Sequence, residues 1–324
     1  MTSKRIFVTG ASGCVGHYLV ETLIQETNHE LFLLVRDPDK LKIDYNARPG
    51  ITILQGNMRE IEQFSDLLKT MDVAVLAATA WGGPQEVFDV NVVKTIRLMN
   101  LLDSERCQQV IYFSTASILN QNNELLKEAG EIGTDYVRSK YVCYHQLSKL
   151  AITPKITTVF PTLLLGGDKQ KPQSHISSGI AQVTRWIGLA RFFSANGSFH
   201  YIHAQDVAWI VKHLIEHPPE PGESRDLVLG NPATTIDHAV EETCAYLNQR
   251  IYFRIPLNLK LANFLITLFQ IKVGAWEKFA MRYRHFIYKD PVTPSTYGMP
   301  TYCATFTDVL KLSGIRPGKP RRSA

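Results

Sequence analysis

Thr9-Gly10-Ala11-Ser12-Gly13-Cys14-Val15-Gly16 is the stretch on which the fold turns. It follows a short apolar run at residues 4–9 and opens a helix-period segment at residues 14–25. Gly10 suits a tight turn, Gly13 lets the backbone approach a pyrophosphate, and Gly16 lets the helix pack on the strand. The free N–H groups at the helix start offer partial positive charge to phosphate oxygens. Three glycines at this spacing are common in isolation. Between the first strand and first helix of an alternating chain, they predict a dinucleotide cradle formed by Gly10, Ser12, Gly13, Cys14, Val15 and Gly16.

Outward from that turn the alternation continues. Further strands are expected at residues 31–35, 51–55, 73–78, 110–114 and 156–165, with helical stretches at 61–69, 84–103 and 135–150. Nearly continuous apolar strands between helices predict an α/β fold, a doubly wound parallel sheet covered on both faces. After Gly166 the pattern loosens into helices at 176–189, 207–216 and 236–248, short strands at 199–202 and 227–229, and a final helix at 307–312. The expected division is a Rossmann domain at 1–166, with sheet contributions from about 199–230, and a smaller, mainly helical substrate lobe at 167–324. The basic, proline-containing tail from residue 316 reads as mobile.

A chain of 324 residues, 45% hydrophobic and 20% charged, buries a substantial core. The net charge of +5 is mild and no basic recognition stripe stands out, so nucleic acid is not an expected partner. The five cysteines, Cys14, Cys107, Cys143, Cys244 and Cys303, show no metal or redox spacing, and an odd number cannot all pair. Free thiols in a reducing compartment follow, with no metal site. Neither a signal-peptide core nor an apolar run of spanning length is visible, which predicts a cytoplasmic protein.

Two further motifs carry chemistry. Val35-Arg36-Asp37-Pro38 closes the second strand. There an acid would bond a ribose 2′-hydroxyl, whereas an arginine forks onto a 2′-phosphate. Arg36 favours NADP(H), with Lys40 and Lys42 nearby; a one-residue shift in register would hand the role to Asp37 and favour NAD. Tyr136-Val137-Arg138-Ser139-Lys140 is the single YxxxK of the chain and lies in a helical stretch. Residues four apart share a helix face. A lysine ammonium there is expected to lower the phenol pKa from about 10 toward a working range. Phe113-Ser114-Thr115-Ala116-Ser117, at the end of the fifth strand, supplies hydroxyls.

The GxxGxxG spacing resembles that of the short-chain dehydrogenase/reductase superfamily, and the chain length resembles its extended branch, which includes epimerases, dehydratases and 3β-hydroxysteroid dehydrogenases. Val-Arg-Asp-Pro is similar to the same run in the NADPH-dependent dihydroflavonol and cinnamoyl-CoA reductases. Gly56-Asn57-Met58 resembles the Gly-Asp-hydrophobic segment that meets adenine, with Asn57 in place of the acid. The resemblance implies that Ala77 and Ala78 lie beneath the cofactor, that Tyr136 exchanges a proton with the substrate oxygen, and that Lys140 holds the nicotinamide ribose. It aligns Thr115 with the catalytic hydroxyl, with Ser117 as the competitor. It also sets the backbone of Pro161, Thr162 and Leu163 beside the nicotinamide amide, makes Asn91 a buried structural amide, and makes Asp206 a helix cap. Phe160 stands where sugar-nucleotide enzymes carry arginine, and Ile118-Leu119-Asn120 departs from the usual Val-Tyr-Gly, so substrate contacts do not transfer.

The expected activity is hydride transfer between NADP(H) and a carbonyl or alcohol of a hydrophobic small molecule. The alternatives are an epimerase or dehydratase acting on a sugar nucleotide, and a non-catalytic NADP-binding regulator or assembly factor. Trp81, with Gly82 and Gly83, is a candidate wall of the substrate site, and Ser174 and His175 are candidate polar contacts. Residues 259–271 form a nearly all-apolar helical stretch followed by basic residues, which makes a membrane surface, met through about residues 257–289, one expected partner. A homodimer is the other.

Overall fold

Seven parallel strands form the central sheet of the computed structural model, which describes residues 3–220, 223–270 and 272–319. They are β1 (Arg5–Thr9), β2 (Glu30–Val35), β3 (Ile51–Gln55), β4 (Val73–Leu76), β5 (Gln109–Phe113), β6 (Ile156–Pro161) and β7 (Asp226–Leu229), in the order β7-β6-β5-β4-β1-β2-β3. The winding reverses between β1 and β4, which opens a crevice at their C-terminal ends.

Alternation along the strands explains the two cores. Ile6 and Val8 face α1 (Cys14–Glu26), where Leu19 and Leu23 join Val207 and Val211 from the helix Ala204–Glu216. Phe7 faces the opposite side, where Leu98 and Met99 of α2 (Thr95–Leu101) and Cys143 and Leu147 of α3 (Asp135–Leu147) complete the packing. Both faces are covered, so the strands need side chains that are apolar on both sides.

Several expected elements are redrawn. The strand expected at 156–165 divides, because the Thr162 N–H and hydroxyl both donate to the Leu229 carbonyl, at 3.0 and 2.9 Å. The chain then leaves the sheet, and Leu163–Leu165 pairs with Tyr201–His203. The strand expected at 199–202 splits likewise, with Ser198–Phe199 in another small sheet. Instead of a helix at 61–69 there is a 3₁₀ run, Met58–Phe64, followed by one α-helical turn, Ser65–Leu68. The stretch expected at 84–103 is helical to Leu101, but π-helical over Asp89–Lys94.

Asp206 does not cap its helix. His203 does so, its Nδ1 accepting the Gln205 N–H at 3.1 Å. Asp206 is fully buried in the first turn and accepts the backbone N–H groups of Tyr302 (2.6 Å) and Cys303 (3.2 Å). The five cysteines are free. Residues 320–324 of the basic tail, and Ile271 at the end of the apolar stretch, lie outside the described residues. Among the described residues no helix is long and apolar enough to cross a membrane.

Candidate active site

The glycine turn is shaped by close backbone contact. Gly10 has φ +77°, and a Cβ there would lie 2.6 Å from the backbone of Ala77 and Ala78. A Cβ on Gly16 would lie 2.0 Å from the Gly10 carbonyl oxygen. Only residues without side chains let the turn rest against the end of β4, where Thr9 Oγ1 accepts the Ala78 N–H at 3.2 Å. Gly13 starts α1 with no side-chain cap and no acid in the first turn, so the helix N–H groups remain available to an anion. Ser12 is half-buried in the turn and Val15 packs on the core beside α1. Burial pushes the Cys14 thiol up to about 12, against an opposing hydrogen bond with the Ser174 backbone, so it stays protonated and unreactive.

Arg36 lies one residue past β2, exposed and in no ion pair among the described residues. Asp37 is engaged elsewhere: its carboxylate accepts the Asp39 N–H at 3.1 Å, capping the next turn, and pairs with Lys40 at 3.7 Å. Lys42 Nζ donates to the Asp39 carbonyl. At the end of β3, Asn57 Oδ1 accepts the Arg59 N–H at 3.1 Å, and Met58 is buried in the core beside α2 and α3. A cradle that a Cβ would fill and helix N–H groups open to an anion together fit the pyrophosphate of a nicotinamide dinucleotide.

The acid–base candidates meet where β5 ends against α3. Thr134 caps α3, accepting the Val137 N–H at 3.3 Å, which sets the register that brings Tyr136 and Lys140 to one face. Lys140, 3% exposed, donates to the Phe113 carbonyl at 2.7 Å and lies 5.1 Å over the Tyr112 ring. Burial pushes its pKa down to about 8. Burial pushes Tyr136 up to about 12, with the Thr115 hydroxyl beside the phenol opposing the rise. This corrects the expectation of a phenol acidified by Lys140: desolvation wins, and the ammonium is aimed at a carbonyl of β5. Thr115 Oγ1 also accepts the Ser117 N–H at 3.3 Å, whereas Ser117 itself lines a neighbouring cavity. The two candidate hydroxyls therefore face different surroundings.

Two residues tie this centre together, Asn91 as the buried amide the resemblance implied and Trp81 by a ring contact the motifs did not convey. Asn91, fully buried on the π-helical segment, accepts the Ala80 N–H (2.8 Å) and the Thr79 hydroxyl (3.2 Å) and donates to Ser139 Oγ (3.0 Å). The Ser139 hydroxyl in turn donates to the Tyr136 carbonyl at 2.7 Å. Trp81, expected as a wall, lies on the Tyr136 ring itself, with centroids 4.0 Å apart and planes 19° apart, and touches His175 at 4.3 Å. Its indole is nonetheless 53% exposed.

With His175–Ala190 as α4 and Ala204–Glu216 as α5, a cavity of about 420 Å³ beside Ser117 separates the strand ends from the C-terminal helices α6 (Leu259–Leu268) and α7 (Ala275–Tyr283). Ala116, Ser117, Thr162 and Leu163 form the near wall. Leu257, Leu259, Ala262, Met281 and Phe286 make the far side apolar, with Arg284 the sole cationic side chain on it. These far residues went unnoticed in the sequence, because they reach the site across more than 90 residues of chain without a motif.

Relatives and solved structures agree with this architecture. An isoflavone reductase homolog of Nicotiana tabacum is 33% identical over 100 residues, which span 29% of this chain and 31% of that protein. Sterol demethylase protein B of Methylococcus capsulatus is 27% identical over 211 residues, 62% of each chain. This chain therefore aligns with less than two thirds of either relative. Among solved structures, the Bordetella bronchiseptica enzyme WbmG in complex with NAD superposes with TM-score 0.65 at 14% identity, covering 96% of this chain and 93% of that one. The structure of gox2253 gives TM-score 0.68 at 18% identity, covering 97% and 100%. The pattern of the NAD dependent epimerase/dehydratase family matches residues 6–230, the stretch that holds the whole sheet, the glycine turn and the Tyr136–Lys140 helix, and the chain belongs to that family.

Proposed function

We propose that this protein is an NADP(H)-dependent oxidoreductase that moves a hydride between nicotinamide and the carbonyl or alcohol carbon of a hydrophobic small molecule. The observation that carries the reading is that Thr115, Tyr136 and Lys140 meet at the end of β5, next in the chain to Ala116 and Ser117 on the wall of a largely apolar cavity. The backbone of the Gly10–Gly16 turn would hold the pyrophosphate, and Arg36 the 2′-phosphate. Bound NADPH supplies the hydride.

The protein's own groups do the rest. Tyr136, held protonated near neutrality, is in the form that donates a proton to an oxygen gaining negative charge. The Thr115 hydroxyl hydrogen-bonds the same oxygen and orients it. Lys140, charged below about pH 8 and held on the Phe113 carbonyl, would meet the nicotinamide ribose. The apolar walls exclude water, which strengthens these interactions. A cavity lined chiefly by Leu, Ala, Met and Phe suits an isoflavone- or sterol-like body better than a sugar nucleotide, as do the names of the two relatives.

The test is a panel of aliphatic, aromatic and sterol carbonyls offered with NADPH and with NADH. Tyr136→Phe is expected to lower turnover by roughly 10²- to 10⁴-fold while leaving nucleotide affinity unchanged. Tight nucleotide binding with no turnover of any carbonyl would overturn the oxidoreductase reading.

A further inference from the structure

The C-terminal helices leave one face of the molecule apolar and uncovered. Eight of the sixteen exposed large hydrophobic side chains among the described residues gather there. On α6 and just beyond it they are Phe264 (61% exposed), Leu268 and Phe269 (68%). At the end of the helix His175–Ala190 they are Trp186 (63%) and Leu189, and between the two helices Tyr252, Phe253 and Ile255. Backbone pairing joins these segments: the Ile255 N–H donates to Phe192 O and the Leu257 N–H to Ser194 O, both at 2.8 Å. The rings of Phe192 and Phe253 stack at 5.1 Å. The segments around residues 192–194 and 253–257 are therefore joined and lead directly into α6, where a monomeric soluble protein ordinarily scatters such side chains singly.

Charge completes the description. Residues 169–205 and 243–276, the two stretches that build this face, contain no Asp or Glu. They hold Lys169, Lys171, Arg185, Arg191, Arg250, Arg254, Lys260 and Lys272. Lys171 pairs with Glu21, and Arg254 with Asp237 and Glu241. None of the other six is in an ion pair among the described residues. Arg185 lines one surface recess with Trp186, Arg191 lies over the Phe192 ring and Lys260 is on α6 itself, so unpaired cations accompany these apolar side chains and complement a surface that is apolar beneath and anionic on top.

We propose that this face docks peripherally on an anionic lipid bilayer. Aromatic rings favour the headgroup boundary, and cations near it are drawn by the surface potential. At ten residues α6 is far shorter than a bilayer core is thick, so it lies in the plane of the interface. A second copy of this chain is the weaker occupant, since an isologous contact would set these cations against one another. The inner side of α6, through Leu259 and Ala262, walls the cavity described above, so bilayer and cavity lie on opposite sides of one helix. The docking itself rests on the patch and its charge, independently of the oxidoreductase reading.

Flotation of the full chain with extruded vesicles tests this, comparing phosphatidylcholine alone with phosphatidylcholine containing about 30% phosphatidylglycerol. The protein is expected to float with the anionic vesicles and to release at about 0.5 M salt. Phe264→Asp combined with Leu268→Asp and Phe269→Asp should reduce partitioning by at least roughly tenfold. These side chains are exposed, so an unchanged melting temperature and nucleotide affinity would show that the fold is intact. Lys260→Glu with Lys272→Glu should weaken binding to anionic vesicles only. A wild-type protein that stays in the aqueous fraction with both vesicle types, or a triple variant that partitions like wild type, overturns the proposal. So does sedimentation showing that the patch joins two copies while vesicles are ignored.

Discussion

Burial moves Tyr136 and Lys140 in opposite directions, and both shifts favour the neutral form. Near pH 7 the phenol keeps its proton while the amine is still charged, so the site holds a single cation. Arg36 and Asp37 divide their tasks just as sharply. Asp37 is occupied by the Asp39 N–H and by Lys40, which leaves Arg36 as the group beside the second strand that can fork onto a phosphate. Arg36→Ser is accordingly expected to weaken NADPH binding roughly 10- to 100-fold, the worth of a charge-assisted hydrogen bond, with NADH affinity unchanged. Calorimetric titration of both nucleotides checks this; equal losses for the two would remove Arg36 from cofactor selection.

The π-helical segment Asp89–Lys94 shows how an element serves a site it does not enter. Its widened turn carries Asn91 to where one amide satisfies the backbone after β4 and the Ser139 hydroxyl on α3. The segments carrying Trp81 and Tyr136 are thereby locked together. Asn91→Leu would leave the part-buried Ala80 N–H without its acceptor and the buried Ser139 oxygen without its donor, and is expected to cost about 1–3 kcal/mol of stability. Urea denaturation reads this as a lowered midpoint; an unchanged midpoint would mean that water or repacking replaces the amide. The apolar period of this helix was plain in the sequence, but its π register was not, because an extra residue in one turn leaves the hydrophobic pattern almost unchanged. The 3₁₀ run after β3 was misread for a related reason: Asn57 caps a tight turn there, and Glu60 breaks the helical geometry.

Across the molecule, Asp206 joins the helix that backs β1 to the loop at Tyr302–Cys303, near the C-terminal end of the chain. Burial raises its pKa to about 6, even with two backbone N–H groups pulling it down. An acid with a raised folded pKa stabilises the fold most below its unfolded value near 4, and this contribution is lost as pH rises through about 6. Asp206→Asn carries no charge to desolvate. The stability of this variant relative to wild type should therefore improve as pH rises from about 4 to about 6 and level off above. Melting temperatures of both proteins across that range check the sign; a constant difference would show that Asp206 does not titrate there. The same long reach builds the cavity, whose near wall comes from strand ends and whose far wall comes from residues beyond 250.

The sequence by itself determined the doubly wound sheet, the glycine turn and the shared helix face of Tyr136 and Lys140. Each of these depends on neighbours within a few residues: strand and helix periods, a turn only glycine can make, a spacing of four. Tertiary structure alone decided how far Tyr136 and Lys140 are desolvated, that Trp81 covers Tyr136, what Asp206 holds, and that α6 lines a cavity on one side and is bare on the other. Burial and charge balance are sums over groups distant in the chain, and no local pattern encodes such a sum.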